Sequence, residues 1–113
     1  MAVTLPEQIA AYFSAKNAAN LNMLDSCLAP DVHVWDRGED TEIKGVDNVK
    51  KWMDETNKKY TLSTEIAASQ TNGDTVTVNT VVSGNFPGSP LPFTYRFSLA
   101  NDKIAAIDII PSE

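Results

Sequence analysis

Tyr12 and Asp36, with Gly45 beyond them, are spaced so that a phenol and a carboxylate could be brought to one place and move a proton. A carboxylate held out of water is a better base near neutral pH than one in bulk solvent, because desolvation raises its pKa. A phenol beside it can donate to the oxygen on which negative charge then develops. Such a pairing needs three supports: a helix that turns Tyr12 inward, a strand that ends at Asp36, and a second helix opened by Gly45.

The sequence supplies candidates for each. Thr4-Leu5-Pro6-Glu7 reads as a helix start, with Thr4 as N-cap, Glu7 as its capping-box partner and Pro6 in the first turn. Leu5, Ile9, Tyr12 and Phe13 then share one face, and the helix should end between residues 17 and 20. Asn20 is placed to cap a shorter helix whose inward residues are Leu21, Leu24, Cys27 and Leu28, stopped by Ala29-Pro30. Residues 31–36 alternate as a strand, with Val32, Val34 and Asp36 on one side and His33 and Trp35 on the other. Arg37-Gly38-Glu39-Asp40 is a polar turn into a short return strand over 41–44, and Gly45 opens a helix with Val49, Trp52 and Met53 as its apolar stripe.

Longer strands follow. Residues 61–71 and 74–85 are joined by the hairpin dipeptide Asn72-Gly73, and residues 93–100 and 103–110 meet at Asn101-Asp102. Between these hairpins the prolines of 86–92 predict a loop outside any sheet ladder. Helices first and strands afterwards make an α+β domain with helices on one face of the sheet. Val76, Val78 and Val82 share one parity and Val81 the other, so this strand is read as apolar on both faces. Helices cover only one face, and a homodimer through the sheet's outer face is expected to cover the other.

Composition limits the function. The chain of 113 residues fits a single domain, 1–113, with 42% apolar and 21% charged residues. A net charge of −6 without a cluster of Lys and Arg gives no footing for nucleic acid. The apolar runs are too short to span a membrane, and the N-terminus lacks a secretory pattern. Cys27 is the only cysteine, which excludes an intrachain disulfide and a cysteine-based zinc site and agrees with a cytoplasmic location. The acidic residues Asp31, Glu39, Asp40 and Glu42 fit no metal loop and read as a solvated face, His33 as a surface or interface residue, and Cys27 as a small hydrophobe. No cofactor or metal is expected.

In order along the chain, Ile9 to Asn20, Leu24 to Val32, Ile43-Lys44-Gly45, Ser83-Gly84 and Tyr95-Arg96-Phe97 with Asp102-Lys103-Ile104 resemble the nuclear-transport-factor-2-like superfamily. Its SnoaL-like and ketosteroid-isomerase branches are included, and the resemblance covers nearly the whole length. It implies a cystatin-like cone: about three N-terminal helices packed on a strongly curved mixed sheet that encloses an apolar pocket. In the ketosteroid isomerases a helix-1 tyrosine donates to the forming oxyanion, and an aspartate at the end of strand 1 shuttles the proton. The resemblance puts these roles on Tyr12 and Asp36.

Other positions depart from that pattern. Phe93 stands where the family has a protonated second oxyanion acid, and Leu28 and Met53 stand where one branch has tyrosines supporting the donor. Tyr95, on the same face as Phe93, is a candidate replacement phenol. The cyclase pattern of a late histidine with an aspartate is missing, since the only histidine is His33, and Arg96 and Asp108 of an epoxide-hydrolase pattern project from the other face. The substrate-binding wall is then expected from Val34, Trp52, Met53, Phe86, Phe93, Tyr95, Phe97, Ile107 and Ile109. The expected function is an isomerase or cyclase acting on a small apolar carbonyl compound. The alternatives are a domain that binds a hydrophobic ligand without turnover, or an accessory domain that dimerises with its pocket filled by its own side chains. Asp36 is equally placed to cap the turn that follows it, and Tyr12 to serve as packing.

Overall fold

The computed structural model describes residues 5–18, 20–85 and 87–111. The expected cap at Thr4 and the pocket role of Phe86 lie outside the described residues. Helix α1 spans Glu7–Ala18; a 3₁₀ turn at Leu21–Met23 leads into α2, Leu24–Cys27. Strands β1 (Leu28–Asp36) and β2 (Thr41–Lys44) precede α3, Val46–Lys59. Four longer strands complete the chain: β3 Leu62–Asn72, β4 Thr75–Gly84, β5 Leu91–Ala100 and β6 Lys103–Pro111.

The strands form one mixed sheet in the order β2-β1-β6-β5-β4-β3, with β1 and β6 parallel and the other neighbours antiparallel. The helices pack on its concave side, α3 over β1 and β2, and α1 against β3 and β6. This is the expected open α+β cone. Register shifts within β1–β6, β3–β4 and β5–β6 bend the strands where one or more extra residues leave the ladder. Both tight turns follow from residue type. Gly73 (φ 64°) carries the left-handed conformation between β3 and β4, and Asn101 and Asp102 (φ 52° and 62°) carry it between β5 and β6. Gly45, at φ 88°, turns the chain from β2 into α3 in a conformation that costs a side-chain-bearing residue strain.

Several local expectations are corrected. The side chain of Asn20 makes no cap bond to the turn that follows. The break at Ala29-Pro30 does end the helix, but extended structure begins already at Leu28, which pairs with Ile104 of β6. Leu91 and Pro92 belong to β5, opposite Val82 and Val81. Among the described residues Phe93 is the last of β5 paired to β6. Strand β4 is apolar on one face only: Val76, Val78 and Val82 are buried inside, while Thr75, Thr77, Asn79 and Val81 alternate with them on the outside.

The core is continuous. Ile9, Tyr12 and Phe13 of α1 meet Phe97, Ile104 and Ile107 of the sheet, with Val32, Val34, Val76 and Val78 around them. Among the described residues no helix is long and apolar enough to cross a membrane.

Candidate active site

Tyr12 is wholly buried (0% exposed), as are Val34, Phe97 and Ile107. Side chains with no accessible surface border no cavity able to hold a water molecule, so the concave space around them is filled by the protein's own atoms. The Tyr12 ring stands edge-on to Phe13 and Phe97, with centroids at 5.4 and 5.5 Å, and tilted to Tyr95 at 6.4 Å. Among the described residues its Oη has no hydrogen-bond partner. The positions where the resemblance would put supporting phenols hold Leu28 and Met53, both buried and apolar. A buried hydroxyl without a partner loses its bonds to water and regains none. Tyr12→Phe is therefore expected to raise the unfolding free energy by about 1 kcal/mol, read from denaturant midpoints; an equal loss would mean the hydroxyl is bonded.

Asp36 ends β1 on the inward face, in register with Ile109 of β6. It lies half-buried beside a turn whose amides it accepts: Gly38 N is 3.1 Å and Glu39 N 3.4 Å from Asp36 Oδ1. The turn-capping role is thus real. Burial, and secondarily the charge of Glu39, push the carboxyl pKa up, while the two amide bonds pull it down. The inner phenols feel the same carboxylate. Burial is the main reason the pKa of Tyr12 lies well above the usual phenol range, with Tyr95, Cys27 and Asp36 adding to it; Tyr95 is raised by burial and by Asp36. Asp36 thus lies on the inward parity of β1, near enough to Tyr12 and Tyr95 for its charge to act on both.

The remaining wall residues divide between interior and rim. Met53, Tyr95 and Ile109 are buried, whereas Trp52 and Phe93 are half-buried and pack against the core. Phe93 reaches the Asp36 turn, since a Cβ built on Gly38 would lie 3.3 Å from Pro111 Cγ, 3.4 Å from Asp36 Oδ1 and 3.7 Å from Phe93 Cε1. A side chain at residue 38 would crowd the carboxylate and Phe93 together. On the outer side a cleft of about 310 Å³, lined by Trp35, Asp36, Arg37, Asp40, Thr41 and Glu42, gives solvent a route to this end of β1. The acidic stretch is used locally there: Glu42 accepts from Trp35 Nε1 at 2.9 Å and lies 3.0 Å from His33 Nε2. Asp108 binds Arg37, whose Nε is 2.8 Å away, so Arg96 and Asp108 form no group around a water on the inner face.

Sequence reasoning missed Lys16. It lies one turn beyond Tyr12 on the same helix, and its Nζ donates to Thr64 Oγ1 at 2.7 Å. Asn17 beside it brackets the Thr64 backbone, donating to the carbonyl at 3.1 Å and accepting from the amide at 2.9 Å. The spacing from Tyr12 to Lys16 was the available signal. Burial lowers the Lys16 pKa to about 8 from 10.5. The unfolded chain then binds more protons between these values, so this residue opposes folding fully below pH 8 and ceases to do so above 10.5. The difference is worth about 3 kcal/mol, of which the bond to Thr64 offsets about 1. Lys16→Met is expected to gain about 2 kcal/mol near neutral pH and to lose that gain in alkali. Unfolding measured across this pH range tests it; a stability difference independent of pH would refute it.

Residues 9–107 match the family model of the SnoaL-like domain. A solved protein of Sinorhizobium meliloti, provisionally assigned as a polyketide cyclase, is 33% identical, with a TM-score of 0.87 over 93% of this chain and 94% of that one. A Catenulispora acidiphila protein with a ketosteroid isomerase-like fold, solved with trimethylamine, is 22% identical (TM-score 0.84, 94% and 85% covered). A provisionally assigned polyketide cyclase of Streptomyces antibioticus is 17% identical (TM-score 0.79, 94% and 90% covered). At such identities the last two establish the fold alone. None of the curated proteins matches the chain.

Proposed function

The chain belongs to the SnoaL-like domain family, and on that premise we propose that it is an isomerase- or cyclase-type enzyme moving a proton on a small apolar carbonyl compound. The observation that carries this reading is the shared interior of a carboxylate and two phenols. Burial raises the pKa of Asp36, and its charge acts on both Tyr12 and Tyr95. Asp36 takes the proton from the carbon beside the carbonyl and returns it elsewhere on the same frame. Tyr12, whose hydroxyl has no other partner among the described residues, donates to the enolate oxygen, with Tyr95 adjacent. The substrate enters at the rim formed by Phe93, Trp52 and the Asp36 turn and parts the aromatic packing to reach Tyr12. Val34, Met53, Phe97, Ile107 and Ile109 then wall the apolar frame.

A second reading, ligand binding without turnover, draws on the turn amides that already occupy Asp36 Oδ1. Deuterium exchange at the α-carbon of a soaked cyclic ketone separates the two. Exchange that disappears in Asp36→Asn supports the enzyme, and ketone binding without exchange in the wild type supports the binder.

The homodimer belongs to the same proposal. Trp35, Val81 and Ile110 lie half-buried on the outer face of the sheet, where a second copy would cover them. Val81→Lys is expected to yield a monomer by sedimentation, and a wild type that is itself monomeric would defeat the idea.

A further inference from the structure

Lys16 brings a positive charge against the sheet without a counter-charge. Arg37, Lys44, Lys50 and Lys58 are paired with carboxylates, whereas Lys16 enters none of the ion pairs among the described residues. Its acceptor is Thr64 Oγ1, which takes one of the three bonds an ammonium can donate. Asn17 fixes the Thr64 backbone from both sides, so the lysine meets a held hydroxyl. Thr64 is 5% exposed and lies opposite Val82, also 5% exposed, on the inner face of β3–β4. A charge in such surroundings is unfavourable until an anion joins it.

Space for a ligand lies alongside. A groove of about 610 Å³ runs between α1 and β3, and Phe13, Asn17 and Ile66 are among its walls. These are direct neighbours of the Lys16–Thr64 pair: Phe13 one turn earlier on α1, Asn17 the next residue, and Ile66 two residues along the same face of β3. The volume is that of small-molecule sites. Its walls are mostly apolar and none of them is charged; Lys16 stands next to them in the chain, between Phe13 and Asn17.

We propose that this margin between α1 and β3 binds a small apolar carboxylate, whose carboxylate pairs with the Lys16 ammonium beside Thr64 while its apolar frame lies in the groove. The groove lies outside the Tyr12–Asp36 interior, and the proposal stands whether or not that interior is catalytic. A single monovalent cation in apolar surroundings suits a carboxylate better than a doubly charged phosphate. An anion there would also restore the ordinary basicity of the lysine, which burial alone lowers.

The test compares phenylbutanoate with its neutral amide by NMR titration of the full chain. The acid is expected to shift the resonances of Lys16, Asn17 and Thr64 and to bind at least about tenfold more tightly than the amide, the ratio that one desolvated charged contact commonly supplies. Lys16→Met should remove the preference for the acid and Lys16→Arg should keep it. The methionine variant is expected to be the more stable protein, so its loss of binding would not reflect unfolding. Equal binding of acid and amide, shifts that avoid Lys16 and Thr64, unchanged binding by Lys16→Met, or no binding by millimolar acid would each overturn the site. Asp36→Asn should leave the acid preference in place, so this proposal and the proton-transfer reading fail separately.

Discussion

Asp36→Asn is expected to lower α-carbon exchange of a bound ketone by about 10²–10⁴-fold, the usual contribution of a positioned general base. The substitution is nearly isosteric, and asparagine Oδ1 can accept the same Gly38 and Glu39 amide bonds, so the turn should persist. Stability should not fall. Because the pKa of the folded-state carboxyl is raised, protonation favours the folded protein: this stabilisation is complete at acid pH and lost as pH rises through the raised value. A neutral amide escapes that loss. The wild-type exchange rate should rise with pH through the same titration, as the base ionises, and the variant should lack this step. A variant that exchanges at the wild-type rate would remove Asp36 from the chemistry and leave it as a turn cap.

The second large effect is structural. Phe97→Ala is expected to destabilise the fold by about 3–5 kcal/mol, the range for truncating a fully buried aromatic side chain. Phe97 is 0% exposed and joins two layers. Its ring is edge-on to Tyr12 (5.5 Å) and Phe13 (5.7 Å) of α1, and stacked on Tyr95 (5.9 Å, 14° between planes) within β5. Truncation removes apolar burial and leaves a void beneath α1 that the rigid rings around it cannot close. Domains of this size have about 5–15 kcal/mol in all, so the variant should melt far below the wild type or fail to fold. A loss under about 1 kcal/mol, measured by reversible denaturation, would mean that the interior can collapse around the gap and that α1 is not anchored there.

Much of the architecture was legible in the chain because it depends on local chemistry. Positive-φ turns at Gly73 and at Asn101-Asp102, the helix break before Pro30, and the alternation Val32-Val34-Asp36 each follow from conformational preference or a period of two. The departures have non-local causes. Leu28 is extended because β6 lies beside it, and Pro92 joins β5 because it pairs with Val81 of β4. Strand β4 keeps an unbroken period of two, so Val81 stands among Thr75, Thr77 and Asn79 on the outer face, which is polar apart from it.

For the candidate site, sequence determined the residue types and the ends of the elements that carry them: a phenol inward on α1, a carboxylate closing β1, and a glycine opening α3. Tertiary structure alone decided their surroundings. Among the described residues the Tyr12 hydroxyl has no partner, its ring packed among Phe13, Tyr95 and Phe97, and Asp36 gained two amides from its own turn. Lys16 became a half-buried cation because α1 lies across β3, a contact between residues far apart in the chain. Hydrogen-bond satisfaction and desolvation depend on which atoms meet in space, and one-dimensional spacing does not contain that information.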